Sequence, residues 1–133
     1  MEAKGTFEVK VKPAESTAFE KGMGVARYEI DKTWEGDVTG VSKGEMLASS
    51  TESTGAMAYV AMEQMTVDLG GRHGSFYLAH RATMTKGDAA SGEMLITVVK
   101  GSGTGELAGI RGDLTITIDS TGKHFYVLRY EVP

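Results

Sequence analysis

The feature that most constrains this chain is a two-residue alternation recurring along its length. In residues 6–12, Phe7, Val9 and Val11 fall on one side and Glu8, Lys10 and Lys12 on the other. Successive side chains of an extended chain point to opposite faces, so a period of two marks a half-buried strand. Residues 25–34 set Ala26, Tyr28, Ile30 and Trp34 against Arg27, Glu29, Asp31 and Thr33. The same reasoning places strands at 37–50, 56–69, 75–85, 92–100, 113–119 and 123–132. The separators, such as Gly-Gly-Arg-His-Gly at 70–74 and Ser-Thr-Gly-Lys at 120–123, have turn composition. Residues 56–65 are rich in the helix formers Ala, Met and Glu. Their strand neighbours and the turn after Leu69 assign them to a strand. No amphipathic helix is expected, and residues 13–22 read as irregular.

About eight strands with short connectors imply antiparallel neighbours, because parallel pairs need long crossovers. Closing such a sheet removes its unpaired edges. The expected fold is therefore all-β: one antiparallel barrel of about eight strands, a single domain spanning 1–133, preferred over a sandwich. An eight-stranded barrel is just wide enough to be packed with side chains or to hold one small ligand. The two prolines are Pro13 and Pro133, while glycine occurs 18 times, which suits strands punctuated by turns and bulges.

Composition narrows the function classes. A net charge of −4 and the lack of a basic run argue against a nucleic-acid partner. With no cysteine, disulfides, zinc–thiolate sites and thiol nucleophiles are excluded. Three dispersed histidines and scattered aspartates give no metal-ligand spacing. His73 is expected in an exposed turn and His124 at a strand start with a surface role. The N-terminus alternates instead of forming a signal-like apolar run, and no stretch approaches the roughly 20 apolar residues of a membrane helix. The expectation is a cytoplasmic protein without cofactor or membrane partner. The eight methionines read as adaptable core filler, and Trp34 as a core anchor or the wall of a pocket mouth.

Residues 101–112, Gly-Ser-Gly-Thr-Gly-Glu-Leu-Ala-Gly-Ile-Arg-Gly, raise the question of phosphate binding. Residues 103–108 match a permissive G-x-G-x-x-A pattern. That mechanism needs a helix opening at once, with its amides aimed at the phosphate. Gly109, Gly112 and a strand follow instead. The glycines are better read as a barrel corner with positive φ and close backbone approach, with Glu106 and Arg111 as local polar contacts.

The same stretch is similar to the glycine loop of the allene oxide cyclase and dirigent-like barrels. Residues 5–9, 34–40, 59–76, 79–80, 101–112 and 130–133 more closely resemble, in order, an uncharacterised family of small bacterial proteins placed in that superfamily. The resemblance implies an eight-stranded antiparallel barrel. It brings no established function. Plant relatives of the fold cyclise an unstable epoxide or steer radical coupling by shaping a pocket around a reactive guest. No catalytic residue is carried over from them.

Alternation also shows which polar residues point the wrong way. Glu63 falls on the face of Tyr59, Ala61, Met65, Val67 and Leu69. His80 falls on the face of Phe76, Leu78, Ala82 and Met84. A hairpin turning near 71–73 brings the two together. An inward carboxylate is costly unless paired, and a Glu63–His80 pair has the chemistry of a general acid and base. The competing reading is structural: both groups satisfy buried partners, with Arg27 a candidate. Tyr59, Trp34, Tyr130 and Arg27 are the candidate ligand-binding residues. Two functional classes follow. One is a barrel holding a small apolar or amphipathic ligand; the other is a cofactor-independent isomerase or cyclase. A third reading is a packed barrel acting through an oligomeric surface. Segments apolar on both faces, at 56–62 and 94–99, point to a homo-oligomer, dimer or trimer.

Overall fold

In the computed structural model, which describes residues 1–133 except the side chains of 89 and 90, the alternating segments form eight strands. They are β1 (Glu2–Ala14), β2 (Val25–Gly36), β3 (Val38–Thr51), β4 (Ala56–Leu69), β5 (Arg72–Thr85), β6 (Asp88–Val98), β7 (Arg111–Ile118) and β8 (His124–Glu131). Each pairs antiparallel with its neighbours in chain order, and β8 returns to β1, closing an up-and-down barrel. Closure leaves the inner face to the apolar positions: Phe7, Trp34, Met65, Phe76, Leu78, Ile96, Leu114, Tyr126 and Leu128 form one core.

Residues 13–22 are more regular than expected. A six-residue helix, α1 (Ala18–Met23), follows Thr17, whose side chain accepts from the Glu20 amide while the Glu20 carboxylate accepts from the Thr17 amide. This reciprocal cap satisfies two amide donors left free at a helix start.

The two ends of the barrel differ. The β2–β3 and β4–β5 turns and the 99–110 segment gather at one end. There Leu107 and Ile110 are wholly buried, and residues 105–107 form a short 3₁₀ turn. Gly74 makes this closure possible, because a Cβ there would lie 2.2 Å from the Thr104 carbonyl and 3.1 Å from Leu107 Cβ. Glu106 accepts from the His73 amide (3.1 Å), pinning the segment to β5. The glycine stretch is thus a plug. At the opposite end lie α1 and three hairpin tips. The wall is lower there on the β7–β8 side, because those strands have eight residues against 14 in β4.

Candidate functional site

Register places the inward polar residues on four consecutive strands. On β4, Glu63 is opposite Leu78 of β5, and Ala61 is opposite His80, so Glu63 and His80 are diagonal neighbours on the inner face. On the other side, Glu63 faces Gly44 of β3, two residues beyond Ser42, and Ser42 pairs with Lys32 of β2. A Cβ on Gly44 would lie 2.6 Å from the Met62 carbonyl and 3.3 Å from Glu63 Cβ. Glycine at this position gives the Glu63 side chain room to turn across the barrel.

The result is a buried network centred on Glu63, which is 1 % exposed. Lys32 Nζ donates to Oε1 at 3.1 Å, and His80 Nε2 meets the same oxygen at 2.7 Å. Ser42 donates its hydroxyl hydrogen to Oε2, and Trp34 Nε1 donates to the Ser42 oxygen at 2.9 Å. Phe7 and Trp34 present ring faces to the Lys32 ammonium, with centroids 4.6 and 5.3 Å away, an arrangement in which aromatic quadrupoles stabilise a cation.

Lys32, Ser42 and His80 all direct donors at one carboxylate, and Trp34 supports it through Ser42. Burial by itself raises the pKa of Glu63. It is outweighed by the His80 hydrogen bond, the Lys32 charge, the Ser42 hydrogen bond and the His80 charge, which together lower it to about 2. Glu63 is therefore an ionised acceptor, a poor proton shuttle near neutral pH. As the carboxylate must accept, Nε2 of His80 carries the hydrogen, and the ring is held with Nδ1 pointing away from Glu63.

Above this network, on the open-end side, lies a cavity of about 580 Å³. Its inward-facing walls are Tyr28, Met46, Met57, Tyr59, Met84 and Met94, with Ala48 and Ala82 as small residues between them. Tyr59 and Ala82 separate this space from the ion network. The Tyr59 and His80 rings stand 6.4 Å apart, tilted by 45°. Burial, then the Glu63 charge, raises the Tyr59 phenol pKa, so the hydroxyl keeps its proton.

The structure brings Glu63, His80, Tyr59 and Trp34 into one region. Trp34 is 2 % exposed and sits in the core beneath the cavity, not at its mouth. Tyr130 lies at the sealed end beside Gly70, far along β8 from the open end. Arg27 is not the partner of Glu63. It points outward, donating to the Glu15 carbonyl (2.6 Å) with Glu20 and Glu45 within 4 Å. The cation that pairs with Glu63 is Lys32, which sequence reasoning passed over although its parity places it with Tyr28, Ile30 and Trp34. Ser42 was missed as well, since a serine in a glycine-interrupted strand carries no apolar signal. His73 is exposed and pairs with Asp68 at 2.9 Å, and His124 stacks on Phe7 at 5.1 Å. The methionines also depart from expectation: Met65 is core, whereas Met57, Met84 and Met94 are 38–51 % exposed around the open end.

Among the described residues, no three His, Asp or Glu side chains gather as metal ligands, and no helix is long and apolar enough to cross a membrane. No match is found among the curated proteins. A crystal structure of a protein of unknown function from Shewanella oneidensis MR-1, described as a member of the DUF3224 family, is similar over 100 % of this chain and 98 % of that one, with 38 % identity and a TM-score of 0.87. The model of that family, described as protein of unknown function, matches residues 3–130, and the chain belongs to the DUF3224 family.

Proposed function

We propose that the barrel binds one small apolar or amphipathic molecule in its open end. The observation that carries this reading is the cavity of about 580 Å³ walled by inward-facing Met, Tyr and Ala residues. Concave, mostly apolar spaces with a few polar groups at one side are the usual form of small-molecule sites. Methionine suits a site that adapts to its guest, being unbranched and polarizable. The sealed end supports the same reading, since it leaves a pocket with one entrance. The ion network stiffens the four strands beneath the cavity, so the deep wall is preorganised.

The test is a titration with N-phenyl-1-naphthylamine, a neutral apolar fluorophore. The expected result is saturable binding with one probe per chain, lost in Ala48→Trp, whose indole fills the space. Equal binding by the two proteins, or none by either, contradicts the reading.

A second reading, a cofactor-independent isomerase or cyclase, draws on one feature. His80 is oriented by an ionised carboxylate through Nε2, which leaves Nδ1 as the basic atom. Glu63 serves in it as the orienting group, not as the acid or base. The outer wall supports a homo-oligomer, because Val60, Met62 and Leu95 are each more than 50 % exposed on β4 and β6. Light scattering that gives the mass of one chain at micromolar concentration would remove that proposal.

A further inference from the structure

The polar groups that border the open-end cavity restrict the guest it can take. Five of its lining residues have polar side chains: Tyr28, Ser49, Tyr59, Thr83 and Glu93. Register divides them. Ser49 pairs with Ala58 and Thr83 pairs with Glu93, each one residue away from an inward position, so their side chains leave from the outer face. Tyr28 and Tyr59 share the parity of the buried Ile30 and Glu63 and project inward. The polar groups that the barrel offers to the cavity are thus two phenol hydroxyls, on strands either side of β3.

Neither hydroxyl is used by the protein. Among the described residues no hydrogen bond reaches them, yet no fully buried polar side-chain atom lacks a partner. Both hydroxyls therefore meet open space. Burial, then the Glu63 charge, disfavours the ionised form of Tyr59, so its hydroxyl enters that space with a hydrogen to donate. The same two effects act on any negative charge set beside it. No cation offsets them. Among the described residues, no lysine or arginine lines the cavity. Lys32 is held by Glu63 and by the Phe7 and Trp34 rings. Arg27 is turned outward to Glu15, Glu20 and Glu45.

We infer that the guest is an uncharged molecule, an apolar body carrying a hydrogen-bond-accepting oxygen of the ketone, ester or amide kind, which receives the Tyr59 and Tyr28 hydroxyls. The apolar body lies between Met46, Met57, Met84 and Met94, whose flexible side chains adapt to its shape. A carboxylate accepts the same hydrogens but is disfavoured by its charge. This inference rests on the open end being a ligand site.

The experiment uses three probes of one shape in competition with N-phenyl-1-naphthylamine on the full chain at pH 7.5. They are the ketone 4-butylacetophenone, its alkene counterpart 4-butyl-α-methylstyrene, and the anion 4-butylbenzoate. Two modest hydrogen bonds predict that the ketone binds about tenfold more tightly than the alkene. The benzoate should be weakest. Tyr59→Phe, which removes no member of the ion network, should lower the ratio of ketone to alkene to about threefold. The double variant Tyr28→Phe, Tyr59→Phe should bring it to near one, while the alkene keeps its affinity. Equal binding of ketone and alkene to the natural protein would overturn the acceptor requirement while leaving the pocket in place. A ratio that survives in the double variant would overturn the role of the two tyrosines. Tighter binding of benzoate than ketone would show that a cation reaches the cavity and overturn the inference too. If the fluorophore itself does not bind, the pocket reading fails first and this inference falls with it.

Discussion

The two ends of this barrel are built from the same alternating strands, yet one is sealed and the other is open. At the sealed end, a 12-residue stretch with five glycines folds inward and buries Leu107 and Ile110 completely. At the open end, inward positions carry methionines that remain 38–51 % exposed. The difference lies in what the connections do. A glycine-rich segment without side-chain bulk can cross a barrel mouth, whereas tight hairpin tips and a short capped helix leave it clear. The lesson is that the same strands build one packed end and one open end, with the Glu63 network as the layer between them.

The largest expected effect is in that layer. Glu63→Ala leaves Lys32 buried without its counter-charge and should cost about 3–5 kcal/mol, measured by urea denaturation. A cost below about 1 kcal/mol would mean that Lys32 reaches water readily and that the layer is not rigid. Next comes the sealed end. Leu107→Ala removes a fully buried side chain from the plug and should cost about 2–5 kcal/mol. At the open end, Met84→Ala should cost under about 1 kcal/mol, because Met84 is already 41 % exposed. Comparable losses from the two variants would erase the distinction between the ends.

Acid provides an intermediate test. The folded-state pKa of Glu63 is about 2, below its ordinary 4.5. The folded state thus binds this proton less readily than the unfolded chain does. The stabilisation is complete above about pH 4.5 and declines as the pH falls toward 2, a loss on the order of 3 kcal/mol for the whole interval. In Glu63→Gln that part of the acid dependence should vanish. An unchanged slope between pH 4.5 and 2.5 would show that other carboxylates control it. Gly44→Ala probes the same layer by crowding it. Its Cβ would approach the Met62 carbonyl at 2.6 Å and push on Glu63. We expect a loss of about 1–3 kcal/mol, with the lone tryptophan, Trp34, reporting a changed environment through its emission.

Much of this arrangement was legible from the residues. Strand neighbours and the turn after Leu69 gave β4 its observed limits, 56–69, and parity put Glu63 and His80 inside on adjacent strands. A barrel makes parity decisive, because one face of every strand is buried. The misses have physical causes. Lys32 is a charged residue in a strand otherwise polar on its outer face, and its inward parity was overridden by its charge. Only the carboxylate and ring faces brought by other strands make its burial tolerable. Helix α1 is too short for a hydrophobic period and declares itself only through Thr17 and Glu20. Tyr130 shares a face with the core, but a face does not reveal which end of the barrel a residue reaches. That depends on strand stagger, which alternation does not encode. The methionines failed as core filler for the same reason, since inward direction means burial only where the surrounding wall is high enough.

The most direct test of the central claim is nuclear magnetic resonance of ¹³C-methyl-labelled methionine during titration with 4-butylphenol. The chain has eight methionines at distinct places, so each reports a different region. The account predicts that Met46, Met57, Met84 and Met94 shift together and saturably. Met65, in the core, and Met62, on the outer wall, should stay in place. Shifts confined to Met62, or none among the four open-end residues at saturating probe, would contradict the claim that the open end of the barrel is its binding site.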